Sequence, residues 1–169
     1  PDQWQNALVT LLGKRPGEEH ILESTRPICL MATAAKMVTG IWAHRLSRAS
    51  EARGVFEEIQ EGFRPGRSTK RQAVRLLSCL QSLRHGGGLV FVAFLDFENY
   101  FNTISLQALF YILRQSQLCE KDVQALERYY QAAYMQIRQE DGSSSAKINL
   151  GRGLRQGCPL SPVLGGLVV

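Results

Sequence analysis

The stretch LVFVAFLDFENYFN, Leu89 to Asn102, constrains this chain more than any other. Its first seven residues are apolar on both alternating faces. That is the pattern of a strand covered on two sides, and therefore central in its sheet. The eighth residue is Asp96. A carboxylate at the end of a buried strand loses its hydration, and the loss is large unless the charge is paired, hydrogen-bonded or bound to a metal. The pattern thus predicts a central strand over Leu89–Phe97 and a partner for Asp96.

The elements around it are read from periodicity and punctuation. PDQWQNALVTLLGK, residues 1–14, places Trp4, Ala7, Leu8, Leu11 and Leu12 at helical spacing, with Asp2 as cap and Gly13 as stop. Pro27 forces an extended lead into ICLM, a short strand. From Thr33 to Leu46 an amphipathic helix puts Ala34, Met37, Ile41 and Trp42 on one face, with Lys36 and Arg45 on its polar side. Gly62, Pro65 and Gly66 punctuate a loop; Ser68 or Thr69 caps a helix to Arg84, and Gly86–Gly88 break it. Ser105 caps a helix to Gln115, a further helix runs from Lys121 to Ala133, and 134–151 reads as a hairpin turning at Asp141–Ser145. Pro159 opens a last helix. Helices, a central strand, then a hairpin make an α+β chain. Neither G-x-G-x-x-G nor G-x-x-x-x-G-K-[ST] occurs, which argues against a doubly wound nucleotide fold.

Composition narrows the partners. The chain has 169 residues, one ordinary domain, and its net charge of +5 favours a polyanion. Cys29, Cys79, Cys119 and Cys158 lie far apart with no C-x-x-C pair, which argues against a zinc site or disulfide framework and for a reducing, intracellular setting. No apolar run approaches the ~18 residues of a membrane span. The chain starts at Pro1 and stops on PLSPVLGGLVV, as expected of a polypeptide cut within a core element.

Four stretches occur in order: RPICLMATAAKMVTGIWAHRL, QEGFRPGRST, FLDFENYFNTI and GLRQGCPLSPVL. Together they resemble the finger and palm motifs of reverse transcriptases, most of all those of non-LTR (LINE-type) retroelements. The resemblance implies a right-hand polymerase fold, with fingers over residues 1–88 and a partial palm over 89–169, built from mixed helices and a small antiparallel sheet. It places Asp96 at the first palm carboxylate, which in that family holds two Mg²⁺ ions over the incoming triphosphate and the primer 3′ hydroxyl. It makes Arg26 a triphosphate contact, Phe101 the ring beneath the nucleotide sugar, and Gln156 with Gly157 the loop that positions nucleotide and template. Arg64, Arg67, Lys70 and Arg71 surround a glycine-proline turn, a suitable cradle for an RNA template or an RNA/DNA hybrid.

The chain also departs from that pattern. The family's two adjacent palm aspartates should follow QGCPLSP by some tens of residues, and no two aspartates are adjacent anywhere in this sequence. One carboxylate does not fill the coordination of two metals. Tyr100 and Asn102 stand where the family has a small residue and an acid, and Gly165 with Gly166 weaken the final helix. The chain by itself is therefore expected to be inactive. Three roles remain: part of a working RNA-directed DNA polymerase, an RNA-binding module, or a structural subunit of a larger assembly whose neighbours cover the incomplete palm.

Overall fold

A computed structural model describes residues 2–17, 24–87, 89–139 and 141–169. The side chains of Asp2 and Gln3 lie outside the description, and with them the expected Asp2 cap; so does Gly88 of the expected glycine break. In chain order the elements are α1 (Asp2–Gln5), β1 (Asn6–Gly13), β2 (Thr25–Met31), α2 (Thr33–Ala52), α3 (Thr69–His85), α4 (Tyr100–Thr103), α5 (Leu106–Gln115), α6 (Glu120–Gln131), β3 (Tyr134–Ile137), β4 (Ile148–Asn149) and α7 (Ser161–Gly166). The fold is α+β.

The sheet runs β2-β1-β3-β4. β1 and β2 are antiparallel from Ala7 opposite Met31 to Gly13 opposite Thr25, and β3 with β4 forms the expected antiparallel hairpin. β1 and β3, however, are parallel, Asn6 lying opposite Tyr134. The sheet is therefore mixed rather than antiparallel, because the chain returns to β1 through α5 and α6 instead of through a tight turn. Pro27 sits on β2, at the sheet's edge among the described strands, where its missing N–H removes no ladder bond from a neighbour on the outer side.

β1 replaces most of the helix expected over residues 1–12. Ala7 and Val9 are buried while Leu8 and Thr10 are less so, a period of two, and Leu12 is exposed. Continuous pairing with β2 overrides the helical spacing of the leucines. α2 forms as expected and runs longer, but its inner face is Ala35, Thr39, Ala43, Leu46, Ser47 and Ser50, with Met37 and Ile41 outward. The helix packs through small residues, and the Thr39 hydroxyl is satisfied by donating to the Ala35 carbonyl at 2.8 Å. α5 and α6 pack on each other through Leu109, Leu113, Val123 and Leu126. Ser105 caps α5 by accepting from the Ala108 N–H, and Ser68 caps α3 by accepting from the Arg71 N–H, as the sequence predicts.

The largest difference concerns the opening stretch. Residues 89–97 join no sheet among the described residues, and Leu89, Phe91 and Leu95 are each 91% exposed. A run that is apolar on both faces needs a ladder partner and two covering layers, and the described residues supply neither. α3 shares this bareness, since none of its side chains is buried.

Candidate nucleotide and template interface

The best-organised candidate site is built around the loop at 151–160. Two glycines determine its path. A Cβ on Gly153 (φ +81°) would stand 2.7 Å from the Asn102 carbonyl oxygen, and one on Gly157 (φ +102°) would stand 2.9 Å from the Cys29 carbonyl oxygen. Glycine alone allows both the left-handed backbone and the close approach. The Cys29 N–H donates to the Gln156 carbonyl at 2.7 Å, the Leu154 N–H to the Phe101 carbonyl at 2.7 Å, and the Gly153 N–H to the Ile104 carbonyl at 2.8 Å. The loop is thus laced to β2 on one side and to α4 on the other. The Gln156 side chain is held as well, Nε2 donating to Asn102 Oδ1 at 3.1 Å.

Gln156 lies in the wall of a cavity of about 240 Å³ that Pro27, Cys29, Asn102, Met135 and Arg152 also line. Behind it Arg155 is 1% exposed. Its guanidinium donates to the Gln5 carbonyl, to the Tyr134 carbonyl at 3.1 Å and to the Tyr129 hydroxyl at 3.2 Å, and lies 5.7 Å from the Tyr129 ring centroid. It therefore ties α1, β3 and α6 together beneath the loop. Ser161 at the start of α7 donates to the Arg155 carbonyl at 2.7 Å. A buried arginine with carbonyl acceptors and a π face replaces much of its hydration without a carboxylate. Only its position beside Gln156 in LRQG marks Arg155 in the sequence.

Phe101 reaches this loop through its carbonyl and the preceding one through its ring. Its ring centroid is 6.2 Å from that of Phe63, edge to face. Phe63 has φ +57°, unusual for a bulky residue, in the loop that carries the basic cluster. Within that loop Arg64 is buried. It pairs Nε and Nη2 with both oxygens of Glu51 at 2.8 and 2.7 Å, donates from Nη1 to the carbonyls of Glu57 and Gln60, and lies 5.1 Å from the Phe56 ring centroid. The hydrogen bond from Arg64 lowers the Glu51 carboxyl below its ordinary range, against a smaller opposing effect of burial. Arg64 is thus turned inward, toward the end of α2 and its own loop.

Arg67, Arg71 and Arg75 instead gather round Glu61, each with a nitrogen 3.1–3.3 Å from Oε1. The Ser68 N–H donates to Oε2 at 3.3 Å. Burial opposes ionisation of Glu61, but the Ser68 N–H, Arg71 and Arg67 outweigh it and keep the carboxyl below its ordinary range. Lys70 is exposed beside them. Glu51, Glu61, Arg75 and Arg155 are not among the site residues expected from the sequence; acids set among the arginines of residues 51–75 are the signal available for the first three.

Phe101, Gln156 and Gly157 are thus brought into one assembly, and Phe63 links it to the basic loop. Asp96 and Arg26 are exposed. The buried strand end predicted for Asp96 is corrected: its segment is uncovered, so no desolvation needs a partner. Among the described residues no three His, Cys, Asp or Glu side chains group as a metal site. A lone carboxylate does not match the octahedral oxygen set that Mg²⁺ requires, so these residues alone do not fit that ion. No described helix is long and apolar enough to cross a membrane.

The reverse transcriptase (RNA-dependent DNA polymerase) family pattern matches residues 13–169. The chain is 29% identical over all its length to the transposon TX1 uncharacterized 149 kDa protein of Xenopus laevis, of which it covers 13%. Over 97% of its length it is 26% identical to the "Probable RNA-directed DNA polymerase from transposon X-element" of Drosophila melanogaster, covering 18% of it. Over the same share it is 27% identical to the retrovirus-related Pol polyprotein from type-1 retrotransposable element R2 of Popillia japonica, covering 22% of it. The chain therefore spans less than a quarter of the length of each of these relatives.

Proposed function

Because the chain belongs to the reverse transcriptase (RNA-dependent DNA polymerase) family, we propose that it supplies the template-facing and nucleotide-facing part of an RNA-directed DNA polymerase, with fingers over 1–88 and palm from 89 onward. The observation that carries this reading is the joint held by Asn102: one residue links the ring-bearing α4 to the Gln156 amide and abuts the Gly153 backbone. Such a joint keeps the segment that bears the aromatic ring in constant relation to an amide that lines the cavity. That is what selecting a nucleotide by its sugar and its base pair requires.

In this reading Phe101 lies under the sugar, Gln156 and Gly157 position the nucleotide against the template, and the exposed Arg26 reaches the triphosphate. A guanidinium suits that last task because its fork matches phosphate oxygens. Arg67, Lys70 and Arg71 meet the RNA backbone, while Arg64 shapes the loop that presents them. The family generally uses Mg²⁺. Asp96 contributes one carboxylate to a metal site that needs more ligands than these residues bring together, so the 169-residue chain does not polymerise by itself.

A second reading, a non-catalytic RNA-binding or structural unit, is favoured by one observation. The uncovered segment 89–97 and the bare face of α3 form apolar surface that another polypeptide segment or a neighbouring subunit would cover. Primer extension on an RNA template separates the two. A polypeptide that carries these residues together with a complete palm should extend the primer and the isolated 169 residues should not. Extension by the isolated chain would overturn the incomplete-site argument, and template binding without extension by the longer one would favour the second reading.

A further inference from the structure

Glu61 is placed oddly for a protein that binds a polyanion. A carboxylate in a template cradle repels phosphate, and here it lies at the cradle's centre. The side chain of Glu61 is 5% exposed, whereas those of Arg67, Arg71 and Arg75 are 17, 47 and 40% exposed. The acid is inside and the guanidiniums fan outward from it. Arg71 and Arg75 are one helical turn apart on α3, about 6 Å along its axis. Each guanidinium turns one edge to Glu61, Arg71 through Nε and Arg75 through Nη1. A planar fork leaves Arg71 further N–H donors for a second acceptor. Nη2 of Arg75 faces the exposed Glu58 carboxylate at 4.0 Å, beyond hydrogen-bond distance, so that a phosphate can take that place. The four groups retain two net positive charges; the exposed Glu58 beside Arg75 removes one and the exposed Lys70 restores it. None of the α3 side chains is buried, so this ladder rather than core packing fixes the helix's arginines in place.

We propose that Glu61 is a positioning residue that pre-organises Arg67, Arg71 and Arg75 as a three-guanidinium seat for the phosphate backbone of RNA, and that Arg75 is a phosphate contact of that seat. The inference rests on the template-binding reading above. Holding a long arginine in its bound rotamer removes entropy that binding would otherwise have to oppose. The inward charge of Glu61 is shielded from the ligand by the three cations it holds. Its net effect on RNA affinity is favourable, although its sign is wrong.

That conflict of sign supplies the test. Binding of a fluorescent single-stranded RNA to the full chain is measured across a salt series for the native protein, Glu61→Gln, Arg75→Lys and Arg67→Ala/Arg71→Ala, with a thermal midpoint for each. Charge counting alone makes Glu61→Gln bind more tightly, because one negative charge is gone. The pre-organised seat makes it bind more weakly, with a shallower salt slope, by about one unit per displaced phosphate contact. Arg75→Lys keeps the charge and loses the fork, so it too should weaken binding at an unchanged midpoint; it decides the matter if Glu61→Gln does not fold. Tighter binding by Glu61→Gln, or native affinity in Arg75→Lys, overturns the proposal. Native affinity and slope in Arg67→Ala/Arg71→Ala would overturn the template-binding reading beneath it.

Discussion

The Tyr100 hydroxyl donates a 2.7 Å hydrogen bond to the carbonyl of Gly165, sixty-five residues away, and the Phe101 ring occupies the space that a side chain at 165 would need. A Cβ on Gly165 would stand 2.9 Å from Phe101 Cε1 and 3.5 Å from Tyr100 Cε1. The added bulk of Tyr100 and the missing bulk of Gly165 are two halves of one fit. Each looks like a defect in its own motif, and together they lock α7 to α4.

Gly165→Ala therefore sets two effects against each other. Helix propensity favours alanine by up to ~1 kcal/mol, whereas overpacking against a ring costs about 1–3 kcal/mol. The clash should win, giving a net loss in a urea unfolding experiment. Phe101→Leu in the same chain should recover part of it.

The Arg64–Glu51 pair contributes stability with a defined pH dependence. The folded Glu51 carboxyl lies below its ordinary value, chiefly through the hydrogen bond from Arg64. Its contribution is therefore complete above the ordinary carboxylate pKa and is lost as pH falls through the lowered folded value. Native protein and Glu51→Gln should differ in unfolding free energy at pH 7 and converge in acid. A constant difference across that window would contradict the pairing.

The thiols should divide into two classes. Cys79 and Cys119 are exposed, while Cys29 and Cys158 are buried. Burial pushes the Cys29 thiol up, with Arg155 opposing it, so its reactive thiolate is scarce at neutral pH. Iodoacetamide followed by peptide mass analysis should modify Cys79 and Cys119 in the folded protein and reach Cys29 only after denaturation.

Residues 89–97 expose several large apolar side chains in succession. Phe91→Ser/Phe94→Ser should lower self-association in light scattering and leave the thermal midpoint of the isolated chain nearly unchanged, because neither ring is buried. A large drop in midpoint would mean that the segment is covered.

The sequence is most legible where a residue's work is local. Ser68 and Ser105 cap the helices they precede, and the turn near Asp141 closes β3 onto β4, because each depends on neighbours a few residues away. β1 is not legible from its own leucines: their spacing fits a helix until β2 is present to pair with them. In α2 the inward face is made of Ala35, Thr39 and Ala43, since close packing there leaves no room for Met37 or Ile41. The motif residues Phe101, Gln156 and Gly157 do assemble, but the residues that hold them, Asn102 and Arg155, act across 54 and up to 150 positions of chain. For Asp96 the sequence signal is a run of apolar neighbours, and that run is covered by nothing among the described residues.

Asp96 is also where the account is most exposed to test. In a polypeptide that carries these residues together with a complete palm, Asp96→Asn keeps the side chain's size and removes its charge. Measured together, primer extension on an RNA template should be abolished while RNA affinity and its salt slope stay native. Retained extension would show that Asp96 is not a ligand of the catalytic metal, and the assignment of this site would fall with it.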